Sequence, residues 1–191
     1  MLTVEDELVS VERRLAAGGL CCPGCGGLLA RWGFAVARAV RGMGGVVARR
    51  RPRRARCRGC GVTHVLLPVI ALSRRADLAE VIGAALAAKA AGAGYRRIAG
   101  WLSRPAETVR GWLRRFAVLA AGLRALFTGV LVEVGVDPVL PAPAGSGFAD
   151  AVAVIVAAGS VSAGRWPVLG PVSPWVFASA VTAGALLAPP R

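Results

Sequence analysis

Residues 95–116 read YRRIAGWLSRPAETVRGWLRRF. Their apolar residues recur at helical spacing and predict a short helix, a tight turn and a second helix. Each predicted helix has one apolar side, formed by Ile98, Ala99 and Leu102 in the first and by Val109, Trp112, Leu113 and Phe116 in the second. Ala99 is small enough for helices that cross steeply, and Val109 and Trp112 follow it by ten and thirteen residues. This spacing is typical of the DNA-binding helix-turn-helix motif.

The predicted turn departs from that motif at two positions. Ser103 stands where the motif usually has glycine, for which a left-handed backbone costs little. For serine the cost is on the order of 1 kcal/mol, which a packed three-helix unit can absorb. Arg104 occupies a position that is normally apolar, whereas Pro105 is well suited to begin the second helix. An ordinary antiparallel helix pair in a core is the alternative interpretation.

Polar residues outside the apolar sides favour DNA binding over that alternative. We expect one set to face a groove and a second set to reach backbone phosphates. The groove-facing set is Glu107, Thr108, Arg110 and Arg114, and the phosphate set is Arg96, Arg97 and Arg104.

Positive charge is concentrated in the middle of the chain. The 191 residues carry a net charge of +14 and are 55% hydrophobic, which is ample for a core. Residues 21–116 hold nineteen Lys or Arg against three acids, whereas residues 128–191 hold two Arg against three acids. A coding bias toward arginine would not leave the last third so poor in it. The clustering therefore predicts a polyanionic partner, DNA or RNA before an anionic membrane.

Two C-x-x-C-G segments predict a metal site. They are Cys22-Pro23-Gly24-Cys25-Gly26 and Cys57-Arg58-Gly59-Cys60-Gly61. Two such turns can aim four thiolates at one tetrahedral Zn²⁺, and each glycine lets the backbone turn tightly under the sulfurs. A redox C-x-x-C would need only one pair, and a disulfide framework is disfavoured in the cytosol. Cys21 could replace Cys22, and His64 could replace a cysteine, although a structural or DNA-facing role is favoured for His64.

The residues between the cysteine pairs predict a zinc ribbon. Residues 28–41 and 46–56 are expected to form two or three short strands joined by residues 42–45. Pro52 is expected to make the second run an edge strand. The ribbon is too small to fold by apolar burial alone, so its stability should depend on the metal. Its arginine arm is expected to grip phosphates through Arg49, Arg50, Arg51, Arg53, Arg54 and Arg56.

The remaining segments complete a mainly α fold with a small β zinc ribbon, followed by a trihelical helix-turn-helix domain and an apolar helical tail. An amphipathic helix is predicted over 3–17, capped by Thr3, and the first helix of the trihelical unit from Ser73 to about residue 91. The second helix of the motif continues to Phe127 and could pair with a second copy. Two short apolar helices follow, the first capped by Asp150 and the second after Pro174. The expected divisions are 1–19, 20–72, 73–127, a Pro/Gly linker over 128–147, and 148–191.

The termini and apolar windows predict a cytoplasmic, nucleoid-associated protein. Residues 1–20 begin with acids and lack a continuous apolar run, unlike a signal peptide. Two near-chargeless windows, 151–164 and 175–188, are fourteen residues each, shorter than the roughly twenty that span a bilayer. We expect them to be buried helices. The mean hydropathy of +0.59 keeps membrane association as a weaker alternative.

The run CPGCG...RRRPRRARCRGCGVTH, followed by the helix-turn-helix, resembles the N-terminal part of insertion-sequence transposases. These combine a zinc ribbon and a helix-turn-helix ahead of a DDE nuclease. The chain is also similar to stand-alone zinc-ribbon and helix-turn-helix proteins of GC-rich bacteria. The resemblance covers roughly residues 20–120. It implies that Cys22, Cys25, Cys57 and Cys60 hold zinc and that the helix from Pro105 reads DNA.

The nuclease of that family is not expected here. Its chemistry needs three carboxylates on a sheet that generally exceeds 100 residues, and only 64 residues follow Phe127. Glu133, Asp137 and Asp150 are interpreted as structural, and no nucleophile has a paired base. The sequence thus predicts a DNA-binding protein, not an enzyme, without a small-molecule substrate. It would be a regulator or a transposon-derived accessory protein that binds double-stranded DNA, and a homodimer is an option. The alternatives are a zinc-stabilised module for protein or membrane surfaces and a degenerate transposase fragment.

Overall fold

The computed structural model describes residues 1–166 and 172–188. Over these residues the fold is mixed α/β, so the small β unit beside α-helices is confirmed. The strands are β1 Leu2–Val4, β2 Leu29–Phe34, β3 Arg38–Arg41, β4 Val47–Arg50, β5 Arg53–Cys57 and β6 Thr63–Pro68. The helices are α1 Leu8–Ala16, α2 Ala79–Ala90, α3 Tyr95–Leu102, α4 Ala106–Val134, α5 Gly147–Arg165 and α6 Pro174–Val181.

Residues 1–68, here called the sheet region, contain one four-stranded sheet. Its strand order is β1-β6-β5-β2, in which β1 runs parallel to β6 and the other neighbours are antiparallel. Strands β3 and β4 form a separate hairpin. Val11 and Leu15 of α1 pack on Leu29, Ala55 and Leu66 of the sheet. This core brings the two cysteine segments to the same end of the sheet region.

Residues 2–4 form a strand, and the helix predicted over 3–17 is therefore wrong at its start. Thr3 of β1 pairs with Leu67 of β6 and caps no helix. Helix α1 begins at Leu8, and its N-cap residue Glu7 makes no side-chain capping hydrogen bond. The run of Leu2, Thr3 and Val4 suits a strand, because it can bury Val4 while completing the backbone pairing of β6. Strand pairing across the chain thus overrode the local capping pattern.

Pro52 divides the second predicted strand. The run over 46–56 is two strands, β4 and β5, and β5 is central in the sheet, not an edge. Proline has no N–H to donate, so the ladder stops there and restarts at Arg53. The Pro52 carbonyl still accepts a hydrogen bond from the Ala35 N–H at 2.8 Å. The edge-strand prediction is therefore wrong.

The helical region, α2 to α6, shares one core. Phe116, Phe127 and Leu131 of α4 are fully buried against residues of α2 and α5, and Leu186 and Leu187 belong to the same cluster. Gly83 of α2 makes room for Trp175 of α6, because a Cβ at residue 83 would lie 2.0 Å from the indole. Over the described residues, α5 and α6 therefore complete the core begun by α2, α3 and α4, and the segment predicted as an apolar tail packs into that core.

Three predicted boundaries in the helical region are wrong. Residues 73–78 form a loop with a left-handed Arg74, so α2 begins at Ala79. Helix α4 continues through Gly129 to Val134, into the predicted linker. A mid-helix glycine costs about 1 kcal/mol, whereas burying Leu131 contributes about 1.5–3 kcal/mol. The cap of α5 is Ser146, whose hydroxyl accepts from the Ala149 N–H.

The described part of the last predicted segment holds α5 and α6, with Ser173 capping α6. Residues 167–171 and 189–191 of that segment lie outside the described residues. Asp150 lies in the first turn of α5, not at its cap, and accepts a hydrogen bond from the Ala144 N–H at 2.7 Å. The two helices predicted after the linker therefore exist, with different starts.

By length and composition alone, two helices could cross a membrane. They are α4 and α5, with 18-residue windows of mean hydropathy 1.8 and 1.6. Two such helices are weak evidence, because core helices of soluble proteins have the same properties. Helix α5, of 19 residues, is longer than the fourteen-residue window predicted at 151–164, and α4 lies outside both predicted windows. The α5 window is 44% buried in the fold, but the α4 window is only 22% buried, which leaves much of α4 exposed.

Candidate functional site

Four cysteine sulfurs converge beside the sheet. Cys22 and Cys25 lie in the segment before β2, and Cys57 and Cys60 lie where β5 turns toward β6. Their Sγ atoms all lie within 4.8 Å of one another. The Sγ atoms of Cys22 and Cys60 are 3.8 Å apart and those of Cys25 and Cys57 are 3.4 Å apart. None of the four forms a disulfide, so all four are available to one metal ion.

The two cysteine turns have the same backbone geometry. The Gly26 N–H donates to the Cys22 carbonyl at 2.9 Å, and the Gly61 N–H donates to the Cys57 carbonyl at 3.1 Å. Gly26 and Gly61 have φ of +71° and +73°, in the left-handed region that glycine adopts without strain. The role predicted for the two glycines is confirmed, because each lets its turn fold back under the sulfurs.

Backbone amides polarise the sulfur of Cys57. The N–H groups of Gly59 and Cys60 lie 3.3 and 3.5 Å from this sulfur. The hydrogen bond from the Cys60 amide is the main reason that the pKa of Cys57 falls to about 6. The Val62 amide lowers the pKa of Cys60, but hydrogen bonding with the Cys25 and Cys57 thiols outweighs it and raises that pKa to about 11. One thiol of the group is thus readily ionised, and metal binding would displace protons from its neighbours.

The backbone of Gly27 packs closely against the sulfurs. A Cβ on Gly27 would lie 3.0 Å from the Cys57 sulfur and 3.4 Å from the Cys25 sulfur. A larger residue at this position would have to displace the two sulfurs by a few tenths of an ångström, so glycine lets the backbone pack closely against the sulfur group. The donor set and its compactness fit a tetrahedral metal ion with four thiolate ligands.

The two alternative ligands occupy different places. Cys21 is exposed and lies outside the group of four. His64 is buried, and its Nε2 lies 3.2 Å from the Cys22 sulfur. Desolvation, followed by the positive charge of the N-terminal amine, lowers the pKa of His64, so its ring is neutral at pH 7. In the neutral tautomer that carries its proton on Nε2, the ring would donate a hydrogen bond to the Cys22 sulfur and so support a metal site from outside the ligand set.

Two arginines of the predicted arm are held by acids of the N-terminal segment. Arg53 is only 10% exposed, with its Nε 2.6 Å from a Glu12 carboxylate oxygen. Arg50 lies 3.1 Å from Asp6. Arg53 is therefore not free to grip a phosphate, and the Arg50 guanidinium is already paired. The charge count alone missed this, because the acids lie some forty residues away in sequence.

Arg104 is a structural residue, which corrects its assignment to phosphate binding. It is 5% exposed and forms an ion pair with Asp77, which is 3% exposed. Asp77 also accepts two hydrogen bonds from Arg41 of β3, both at 3.2 Å. Arg104 Nη2 donates to the Gly42 carbonyl at 2.9 Å. Arg104, which lies just before α4, thus links the start of that helix to the β3–β4 hairpin.

The other predicted contact residues remain on the surface. Glu107 and Arg110 are paired at 3.3 Å, and Thr108 is half-buried. Exposed side chains belong to Arg49, Arg51, Arg56, Arg96, Arg97, Arg110 and Arg114, and Arg54 is half-buried. They lie on two parts of the molecule, the sheet region and the outer side of α3 and α4.

The sequence interpretation missed the aromatic residues beside these arginines. Trp32 and Phe34 of β2 are 50% and 38% exposed. The Arg56 guanidinium lies 4.7 Å from the Trp32 ring centroid, and that of Arg53 lies 4.6 Å from the Phe34 centroid. The available signal was two aromatic residues, Trp32 and Phe34, directly after Arg31 in a predicted strand. No protein-family model, curated protein or solved structure matches the chain.

Proposed function

We propose that the protein is a zinc-dependent DNA-binding protein, either a regulator or a transposon-derived accessory protein, without a nuclease. The observation that carries the proposal is the α3–α4 pair. Ser103 adopts the left-handed conformation, with φ 52° and ψ 49°, and Ile98, Ala99 and Leu102 face the core. Arg110 and Arg114 project from the exposed side of α4 while Val109 and Trp112 anchor its buried side. A helix held in this way can enter the major groove through its exposed side.

Zinc is the metal that best suits the cysteine group. Four thiolates are a soft donor set that favours tetrahedral Zn²⁺, and a closed set of four ligands is typical of structural zinc. Cys22, Cys25, Cys57 and Cys60 would hold the ion. It would supply the folding energy that the small core of the sheet region lacks.

The link between zinc and DNA binding would pass through Asp77. This carboxylate joins Arg41 of the hairpin to Arg104, which directly precedes the groove-facing residues of α4. A folded sheet region would therefore help to fix the orientation of α4. The exposed arginines of the hairpin would then contact phosphates on the same duplex.

The test is a selection from random duplex DNA, run over a salt series with and without a zinc chelator. A defined sequence that is lost on chelation is the expected result. If about six phosphates are neutralised, log K falls with a slope of roughly −5 against log salt. Arg110→Gln and Arg114→Gln should flatten the sequence preference. Arg49→Gln and Arg51→Gln should weaken all sequences alike.

Arg13→Gln provides a matched control, because Arg13 is exposed on α1, whose buried residues belong to the core of the sheet region. It should bind DNA as the unchanged protein does. Equal loss in the Arg13 and Arg114 variants, or equal preference for all sequences, would contradict groove reading by α4.

Exposed apolar residues on α4 favour a second candidate function, a zinc-stabilised module that binds a membrane or protein surface. Val118 is 84% exposed and Val132 is 53% exposed on α4. Removal of residues 129–191 cannot distinguish the two functions, because it would remove Leu131, α5 and α6 from the core. The variant Val118→Glu/Val132→Glu can distinguish them, when its binding to anionic vesicles is measured by flotation. Loss of flotation with DNA binding unchanged would support the second candidate.

A further inference from the structure

Trp32 is an aromatic residue placed by a β-bulge at the edge of the sheet. The pairing of β2 with β5 shifts between Arg31 and Gly33, so Trp32 is the extra residue on β2. Its indole is half exposed, although nearby Leu29 of the same strand is buried. Bulges often redirect a side chain at a functional position. Here the bulge keeps a large flat ring in solvent.

Arg56 forms a preorganised stack with this ring. Its guanidinium carbon lies 4.7 Å from the Trp32 ring centroid. The Arg56 Nε also donates to the Gly61 carbonyl at 3.1 Å, which restrains the guanidinium beside the ring. Trp32 keeps half its surface accessible despite this contact. The pair therefore offers an aromatic surface next to a fixed positive charge.

Arg54 adds a second charge to the same side of β5. Residues two apart on a strand share a side, and the alternate residues Ala55 and Cys57 are buried. Arg54 pairs across the strands with Gly33 and Val65, and Arg56 with Thr63, so no acid lies directly opposite either arginine. Over the described residues, neither arginine forms a salt bridge with an acid. This side of the sheet is therefore basic and uncompensated.

We propose that this side of the sheet binds single-stranded DNA, with an unpaired base stacked on Trp32 and the adjoining phosphates held by Arg54 and Arg56. Every base has a flat π face, so stacking on an aromatic ring tolerates any sequence, and arginines alongside attract the backbone. Bases inside a duplex are already stacked and cannot reach the ring. The site is separate from the α3–α4 surface and does not require α4 to read a duplex.

The experiment uses the full zinc-loaded chain and a fluorescently labelled oligo-dT of 12 nucleotides. Trp32→Ala should weaken binding about 5- to 150-fold, the effect expected for loss of one stacked base. Trp32→Phe should retain most of the affinity and Trp32→Leu should lose it, because stacking needs an aromatic ring. Arg56→Gln should weaken binding and reduce the salt slope by about one. Zinc content and circular dichroism establish that each variant is folded.

Trp101→Ala is the matched control, because Trp101 of α3 is 59% exposed, much like Trp32. It should leave oligo-dT binding unchanged. Several outcomes would overturn the proposal: no oligo-dT binding, normal binding by a folded Trp32→Ala variant, equal loss in the Trp101 variant, or tighter binding of oligo-U RNA. A duplex arm separates the two proposals, since Arg114→Gln should affect only the duplex and Trp32→Ala only the single strand.

Discussion

The sheet region and the helical region hold themselves together by different means. The buried core of the sheet region has nine residues, two of which, Cys22 and Cys57, belong to the sulfur group. Among the described residues, the core of the helical region has twenty-six. Burial of a small apolar core rarely offsets the conformational entropy that the chain loses on folding. A structural metal or a disulfide is therefore normally required for a stable fold. The comparison predicts that one region depends on its ion and the other on packing alone.

Loss of a metal ligand should have the largest effect. Cys57→Ser is expected to abolish stoichiometric metal binding and unfold the sheet region, because structural zinc contributes about 10–16 kcal/mol of apparent binding energy in small domains. Metal analysis and far-ultraviolet circular dichroism measure the result, with helical signal largely kept. Cys21→Ser is the control, since Cys21 lies outside the sulfur group. A metal-free Cys57→Ser protein that keeps its strands would show that the sheet region does not need an ion.

Breaking the Asp77 ion network should come next. Asp77→Asn leaves Arg104 buried with a weaker partner and should destabilise the protein by about 3–5 kcal/mol. Chemical unfolding of this variant measures the change in free energy. The double variant Asp77→Leu/Arg104→Met should recover part of the loss, because apolar residues of similar volume need no counter-ion. Additive effects of the two single changes would mean that the pair is not coupled.

A cavity in the helical core should cost somewhat less and spare the metal. Leu131→Ala is expected to destabilise the helical region by about 2–5 kcal/mol. Metal content should stay unchanged. Val132→Ala is the adjacent control, because Val132 is 53% exposed on the same helix. If Leu131→Ala released the metal as readily as Cys57→Ser, the two regions would be one cooperative unit.

The turn before α4 offers the smallest expected change. Ser103→Gly should stabilise the protein by about 1 kcal/mol, because glycine adopts the left-handed backbone without the strain of a side chain. Thermal unfolding detects a shift of this size. Ser160→Gly in α5 should instead destabilise slightly, since Ser160 is exposed within a helix. Equal shifts in the two variants would show that the turn carries no strain.

The predictions that held were those carried by local pattern. The C-x-x-C-G spacing identified the four cysteines of the sulfur group, because the turn at each pair is set by neighbouring residues. The apolar residues predicted for the α3–α4 stripe between Ile98 and Phe116 are all buried. The helical spacing of these residues was sufficient to identify their buried side.

The predictions that were wrong depended on distant partners. Arg53 and Arg104 were assigned to phosphates because Glu12 and Asp77 could not be placed beside them from spacing. Strand β1 escaped notice because its three residues gain stability only by pairing with β6, more than sixty residues later. Charge pairing and parallel strand pairing have no periodic signature in the sequence. They emerge only once the chain has folded.

The placement of Leu186 and Leu187 in the helical core also bears on the order in which a ribosome releases the two regions. The sheet region is complete once β6 ends at Pro68, whereas the helical core waits for Leu187. At about 5–20 residues per second, that interval lasts roughly 6–24 s. If the sulfur group holds a metal as proposed, the growing chain would bind it well before α5 and α6 emerge, and a shortage of metal would leave the sheet region unfolded during the same interval.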